Sequence, residues 1–206
     1  MNIIDISWPI TPQMTEYKDR RTVKIESLKQ FDCDGVRETM LSMHNHTGTH
    51  VDAPSHFVMN GGSSETLSLE ALIGPCRVLD LTHVTECITQ NDLKQCEIKA
   101  SERILVKTKN SLRSPTDPFD PQFICVHKDA ARYLADLKIA CIGIDYLGIE
   151  RNQPEHETHI LLLEGNVVII EGLRLAHVPP GYYELCCLPL NVLGIDGVPA
   201  RAALIV

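Results

Sequence analysis

The sequence predicts one mixed α/β domain that is rich in strands. Short apolar and β-branched runs recur along the chain between turn residues, whereas helical spacing is confined to a few segments. The 206 residues are 44% hydrophobic, which is enough for one core. No linker or internal repeat divides the chain, so we expect a single domain over residues 1–206.

Strand patterns occur from the first residues of the chain to the last. Residues 21–28 alternate apolar and polar side chains, as a half-buried strand does. The final segment must dock into a sheet if the end of the chain is to be ordered. The strand candidates are residues 2–6, 21–28, 40–50, 76–81, 104–107, 140–145, 167–170, 183–188 and 201–206.

Three helices are predicted between these strands. Residues 68–73 precede a Gly-Pro stop signal. Thr89 opens a T-x-x-D pattern, a variant of the capping box. Residues 127–137 place alanine and leucine at helical spacing. The stretch 109–121 is rich in Asn, Ser, Pro and Asp and predicts a long surface loop, and whether this loop covers a site is left open.

Charge and composition exclude several classes of partner. The formal net charge is -8, and an acidic surface repels the phosphates of nucleic acid. No apolar run reaches the ~18 residues of a membrane-spanning helix. The N-terminus lacks the basic region and cleavage pattern of a signal peptide, so we expect a cytoplasmic protein.

The cysteines form no C-x-x-C pair and fit no zinc spacing. Several of them lie in apolar runs, and in a reducing compartment such cysteines act as small buried apolar side chains. We therefore predict this structural role for all eight, at positions 33, 76, 87, 96, 125, 141, 186 and 187.

The chemistry is concentrated in residues 44–56, which contain four of the nine histidines. A helix would make His46 and His50 an i, i+4 pair, but Thr, Gly and Val disfavour a helix here and Pro54 would break it. An extended chain instead places His46, His50 and Asp52 on one face, because alternate side chains of a strand share a face. The extended arrangement is the one we predict.

Two imidazoles and a carboxylate suit a divalent metal. Pro54 would turn the chain so that His56 folds back over the site. The remaining ligands are expected at His159 and at Glu171, which ends an apolar run. A carboxylate there is costly unless it is paired or metal-bound. The alternatives are hydrogen-bonded histidines on a wet sheet face and, for Glu171, a strand end that reaches solvent.

The other histidines carry weaker signals. His44 shares the spacing of the group but lies at its edge, so both a supporting and a structural role remain open. His83, His127 and His177 stand alone and are predicted to be ordinary surface or hydrogen-bonded residues.

Residues 46–56 read His-Thr-Gly-Thr-His-Val-Asp-Ala-Pro-Ser-His. They resemble the cyclase family of metal-dependent hydrolases, which includes bacterial kynurenine formamidase and isatin hydrolase, and match every fixed position of its motif H-x-G-T-H-x-D-x-P-x-H. Residues 142–145, 159–173 and 194–202 resemble further family segments. The resemblance implies a swivelling β/β/α fold that forms homodimers or larger assemblies.

The resemblance also implies a site with two divalent metal ions, either zinc or manganese. It assigns His46, His50, Asp52 and Glu171 to one ion, and Asp52, His159 and Glu171 to the other. It makes His56 the proton donor and acceptor, and the nearest match to an aromatic residue of the substrate pocket is Tyr17.

The implied activity is hydrolysis of a small amide by a water that the metals activate, with His56 protonating the departing nitrogen. The leading hypothesis is an arylformamidase that converts N-formylkynurenine to kynurenine and formate. One alternative is a cyclic amide substrate of the isatin type, and another, suggested by the family name alone, is a cyclase or dehydratase. A non-catalytic metal-binding protein is disfavoured, because the ligand set is complete without His56.

Overall fold

A computed structural model describes residues 1–206, and its short helices lie between strands along the chain. The strands are β1 (Ile3–Asp5), β2 (Lys24–Lys29), β3 (Glu38–Ser42), β4 (His50–Asp52), β5 (Ile73–Asp80), β6 (Cys87–Ile88), β7 (Arg103–Lys107), β8 (Cys125–Val126), β9 (Cys141–Ile144), β10 (Val168–Glu171), β11 (Gly181–Pro189) and β12 (Gly197–Ile205). The helices are α1 (Phe31–Asp34), α2 (Leu69–Leu72), α3 (Gln90–Lys94), α4 (Lys128–Leu137) and α5 (Glu157–Glu164).

Seven of these strands close into a barrel. The order around the barrel is β12, β11, β5, β7, β9, β10 and β4, and β4 pairs back with β12. The neighbours from β5 to β10 run parallel, and α3, α4 and α5 lie in the crossovers that parallel pairing requires. The other pairs are antiparallel, including β1 on β12.

Alternation of side chains gives the parallel strands two cores. In β7, Leu105 belongs to the core inside the barrel, whereas Ile104 and Val106 pack with α4 and α5 on the outside. A Cβ placed on Gly143 would lie 2.6 Å from the side chains of Leu105 and Leu173, so the barrel interior has no spare volume at this level.

The prediction of a strand-rich α/β fold is confirmed, and two of the helices begin where their caps predict. Thr89 and Asp92 form a reciprocal capping box at the start of α3. The side chain of His127 accepts a hydrogen bond from the backbone of Asp129 at the start of α4. α5 was not predicted, because the consecutive apolar residues 160–163 show no helical spacing.

The predicted continuous strand over residues 40–50 is wrong. β3 ends at Ser42, and a turn separates it from β4, which begins at His50. Gly48 has a φ of +62°, a left-handed conformation that interrupts an extended chain. Helix α2 also passes directly into β5 at Ile73, ahead of the Gly-Pro signal.

The cysteines only partly follow the prediction. Cys76, Cys141 and Cys187 are buried apolar residues as expected. Cys87 and Cys125 instead form a disulfide, because the parallel pairing of β6 and β8 places them opposite each other with Cα atoms 4.4 Å apart. The remaining cysteines are exposed or half-buried, namely Cys33, Cys96 and Cys186.

The hairpin formed by β2 and β3 projects from the barrel, and every residue of its two strands is exposed. Its exposed apolar side chains include Leu28, Phe31, Met40 and Leu41. No helix combines the length and apolar character that crossing a bilayer requires.

Candidate metal centre

β4 and β10 place three carboxylate and imidazole side chains on one face of the barrel. The strands pair antiparallel, with Val51 opposite Ile170 and His50 opposite Glu171. Val51 and Ile170 enter the barrel core. Because side chains alternate along a strand, His50, Asp52 and Glu171 share the opposite face. All three are buried.

His159, from the first turn of α5, completes a symmetrical cluster. Its Nε2 lies 3.3 Å from Glu171 Oε1 and 3.6 Å from Asp52 Oδ2. His50 Nε2 lies 3.3 Å from Glu171 Oε2 and 3.5 Å from Asp52 Oδ1. Each carboxylate therefore presents one oxygen to each imidazole.

The buried atoms of this cluster are short of hydrogen-bond partners. His50 Nε2 and both oxygens of Asp52 have none. Unpaired buried polar atoms are costly, and a divalent cation would satisfy all three at once. His50 Nδ1 is hydrogen-bonded to the carbonyl of Gly48 at 2.9 Å, which leaves Nε2 free, as in metal-ligating histidines. The donor set therefore fits a divalent metal.

His46 joins the cluster from the turn rather than from a strand. Its Nδ1 lies 3.0 Å from Asp52 Oδ1. Two glycines make room for this arrangement: a Cβ on Gly197 would collide with the His46 ring, and a Cβ on Gly172 would collide with the Gly48 carbonyl. The ring thus lies beside Asp52, as sequence alternation suggested, but the backbone reaches it by a turn.

His56 lies over the cluster, on the 3-10 turn Pro54–His56. Its ring stacks on that of His46 with centroids 4.1 Å apart. Its Nδ1 lies 3.1 Å from Asp196 Oδ2. Burial lowers the pKa of His56 below its ordinary value. The ring is therefore neutral at neutral pH, the form that accepts a proton.

Sequence reasoning missed Asp196, which links two of these histidines. Its Oδ2 is 2.9 Å from His46 Nε2 as well as 3.1 Å from His56 Nδ1, and its Oδ1 accepts a hydrogen bond from Asn45. Burial would raise the pKa of Asp196, but the hydrogen bond from His46 outweighs it and holds the pKa at about 2. The only signal in the sequence is its place in a family-like Gly-Ile-Asp-Gly segment.

In this cluster the ionised carboxylates of Asp52 and Glu171 lie against the protonated imidazoles of His46 and His159. Burial would lower the pKa of His46, but contact with Asp52 outweighs it and raises the pKa to about 9. The carboxylates likewise raise the pKa of His159 well above its ordinary value, against its burial. Burial and the charge of Asp52 would raise the pKa of Glu171, but contacts with the imidazoles of His159 and His50 hold it at about 2.

We expect zinc to bind more tightly as the pH rises from about 6 to about 9. Zinc binds the neutral imidazole, so below pH 9 it must displace the proton of His46, whose pKa is about 9. Affinity should rise by up to about tenfold per pH unit for each proton displaced. Competition with a chelator at several pH values measures this, and calorimetry in two buffers counts the protons released. An affinity that does not change with pH would contradict the protonated state of His46 and His159.

The cluster opens into a cavity of about 590 Å³. Asp52 is buried and is not part of its lining. The other residues that the sequence assigned to the site all line it, namely Tyr17, His46, His50, His56, His159 and Glu171. The structure therefore brings the whole predicted set together, although the role of each residue stays a prediction.

Tyr17 lies on the cavity wall and is supported from behind by the 109–121 loop. Its ring packs edge-on against Phe119 of that loop, with centroids 4.9 Å apart. No residue of the loop lines the cavity, so the loop does not cover the site. Two cations lie over the Tyr17 ring: Lys18 Nζ at 5.2 Å and the Arg20 guanidinium at 5.6 Å.

His44 lies beside the cluster and contacts His46. Its Nδ1 accepts the backbone N–H of His46 at 3.2 Å, and its ring is 5.7 Å from the His46 ring. It also lines the cavity. The other lone histidines lie outside the cavity, namely His83, His127 and His177.

A family profile described as "Putative cyclase" matches residues 4–151 of the chain. The kynurenine formamidase of Salinibacter ruber is 32% identical over 207 residues, which cover 99% of this chain and 97% of that enzyme. A predicted metal-dependent hydrolase from Bacillus stearothermophilus is 44% identical, with a TM-score of 0.89 over 98% of this chain and 97% of the other. Isatin hydrolase A from Ralstonia solanacearum shares the fold, with a TM-score of 0.84 at 22% identity over 98% and 91% of the two chains.

Proposed function

The chain belongs to the cyclase family of metal-dependent hydrolases, and on that premise we propose that it hydrolyses a small amide, with an N-formylated arylamine such as N-formylkynurenine as the substrate. The observation that carries this proposal is the pair of buried carboxylates between His50 and His159, next to the neutral ring of His56. A protein that only stored metal would need no proton-transfer group beside a complete ligand set.

We propose that this cluster holds two divalent ions, zinc or manganese. One ion would be held by His46, His50, Asp52 and Glu171, and the other by Asp52, His159 and Glu171. The placement of each carboxylate between two imidazoles supports the bridging assignment. A bound divalent ion supplies Lewis acidity, which polarises a carbonyl and brings the pKa of a water towards neutrality.

His56 is the group that moves the proton. Its Nδ1 is held by Asp196, which leaves Nε2 free. Nε2 takes a proton from the attacking water and delivers it to the amide nitrogen as the C–N bond breaks, so that the arylamine leaves as a neutral molecule. Asp196 fixes the ring and stabilises its charged form while it carries the proton.

The rest of the cavity suits an aromatic substrate. Phe57 and Leu147 give it apolar surface, and the Phe57 ring is 4.1 Å from that of His56. We propose that Tyr17 contacts the substrate at the part of the wall where Lys18 and Arg20 attract an anionic substituent.

The proposal is tested by hydrolysis of N-formylkynurenine, followed as release of kynurenine and formate. Protein reconstituted with zinc or manganese should turn over the substrate, and chelated protein should not. Metal-loaded protein that leaves this substrate intact but opens isatin would reassign the site to cyclic amides. Metal-loaded protein that hydrolyses neither would refute the proposed function.

We expect Arg20→Ala to raise KM for N-formylkynurenine by about 3- to 10-fold with little change in kcat, because one charge-assisted contact to the substrate carboxylate contributes about 1 kcal/mol. Formanilide lacks the carboxylate, so its KM should not change. Arg132→Ala, on the exposed face of α4, is the matched control. An equal rise in KM for both substrates in Arg20→Ala would refute carboxylate recognition.

We also propose that the protein is a homodimer or a larger homo-oligomer, as the resemblance implied. The exposed apolar side chains of the β2–β3 hairpin support an assembly, because such side chains gain stability when a second chain covers them. Sedimentation of the metal-loaded protein as a monomer at micromolar concentration would refute it.

A further inference from the structure

We propose that Glu150 is a positioning residue, which holds the His159 ring so that Nε2 faces Asp52 and Glu171. Glu150 Oε2 lies 3.1 Å from His159 Nδ1, on the side of the ring away from the cluster. The inference rests on the proposed function only in requiring that the cluster binds metal. No pattern in the sequence singles out this residue.

Both carboxylate oxygens of Glu150 are engaged by the start of α5. Oε2 also accepts the backbone N–H of His159 at 3.2 Å, and Oε1 is 2.5 Å from Nδ1 of His156. The side chain is 6% exposed, and a buried carboxylate with this many partners has a fixed orientation. Glu150 therefore contacts both the backbone N–H and the ring of His159.

Glu150 also caps one N–H group in the first turn of helix α5. Its N-cap, His156, is in the left-handed conformation and forms no side-chain cap of its own. The first N–H groups of a helix lack partners within the helix and favour a negative charge nearby. Gln153 Oε1 accepts the N–H of Thr158, and Glu150 accepts that of His159 and supplies the negative charge. The group that caps His159 thus also orients its ring.

Phe57 constrains the His159 ring from a second direction. Its ring lies 4.2 Å from that of His159, at an interplanar angle of 30°. It also lies 4.6 Å from the ring of His156. Phe57 therefore restricts the face of the His159 ring while Glu150 acts at its edge, and together they leave little freedom for Nε2.

The contact at Nδ1 has a direct consequence for metal binding. Glu150 Oε2 lies beside the buried Nδ1 at 3.1 Å, although the angle is not that of a well-aligned hydrogen bond. A proton held on Nδ1 leaves the lone pair on Nε2, which is the form that ligates. A carboxylate behind a ligating imidazole also raises its basicity. Loss of Glu150 should therefore weaken zinc binding at His159.

The test measures zinc affinity by competition with a chelator in the full-length protein. Loss of such a supporting carboxylate weakens metal binding by about 10- to 100-fold. We expect the loss of zinc affinity to be about 10-fold in Glu150→Gln, which keeps an acceptor, and about 100-fold in Glu150→Ala. The weakened step should be binding of the ion that His159 would hold, which His159→Ala should abolish.

Asp145→Asn is the matched control for loss of a buried carboxylate. Asp145 is fully buried and hydrogen-bonded to Thr108 and Ser111, away from the cavity. The Asp145→Asn substitution should lower the thermal midpoint of the metal-free protein but leave zinc affinity unchanged. An equal loss of affinity in both variants would reduce Glu150 to a structural role and overturn the inference.

A second readout reports the ring itself. In the zinc-loaded wild type, ¹⁵N shifts of His159 should show the proton on Nδ1, and Glu150→Ala should mix the two tautomers. Wild-type zinc affinity and an unmixed tautomer in Glu150→Ala would overturn the inference. A wild type that binds zinc but hydrolyses no amide would refute the proposed function and leave this inference standing.

Discussion

Asp52→Ala should release the metal and abolish hydrolysis. Both oxygens of Asp52 lie within 3.6 Å of ring nitrogens of the cluster, and neither has a hydrogen-bond partner. Removing them breaks the link between His50 and His159 and leaves three imidazoles facing a void. We expect zinc affinity to fall by at least about 100-fold, since loss of an outer-shell group alone costs up to that much.

The measurement is metal content after gel filtration, with activity assayed on the same sample. Asp145→Asn again separates the loss of a ligand from the loss of a buried carboxylate, and it should retain its metal. Full metal occupancy in Asp52→Ala would refute both the ligand and the bridging assignments. Loss of activity without loss of metal would do the same.

His56→Ala should lower kcat by about 10²- to 10⁴-fold while metal content stays at the wild-type level, because general acid–base catalysis contributes that much and His56 lies outside the proposed ligand set. The pH profile is a sharper readout than the rate. Burial lowers the pKa of His56, so the wild-type rate should fall only as the pH drops through that lowered pKa, when the ring becomes protonated.

The variant should lose this acidic limb of the profile. His83→Ala is the matched control, because His83 is exposed and lies outside the cavity. A His56→Ala protein that loses metal in proportion to activity would make His56 a ligand instead of the proton carrier. An unchanged acidic limb would assign that titration to another group.

Local patterns predicted most of the site. Residues 46–56 carry a dense motif, and Glu171 is marked by the apolar run that it ends. Alternation along β4 correctly places His50 and Asp52 on one face. The same rule applied to His46 predicted an extended backbone, which is wrong because Gly48 turns the chain before β4 begins.

Residues that act across long separations were not predictable in this way. Asp196 is 140 residues away from His56, and the two meet only because β12 pairs with β4. Glu150 contacts His159 because helix α5 turns His159 towards Glu150. The apolar run in this segment shows no helical spacing, so the helix was not predicted. The disulfide between Cys87 and Cys125 likewise depends on the register of two strands separated by 38 residues. Pairing of distant strands is set by tertiary packing rather than by local spacing.

The three residues of β4 are also the segment through which the barrel closes. His50 to Asp52 pair with β10 on one side and with β12 on the other. Metal that binds only the closed barrel adds to the free energy needed to open the barrel. The addition is about 4 kcal/mol when the free metal is at 1,000 times its Kd. By the same linkage, any opening at this strand separates the ligands and releases the metal. The ion would thus stabilise the closed barrel, and chelation should lower the temperature at which the protein unfolds.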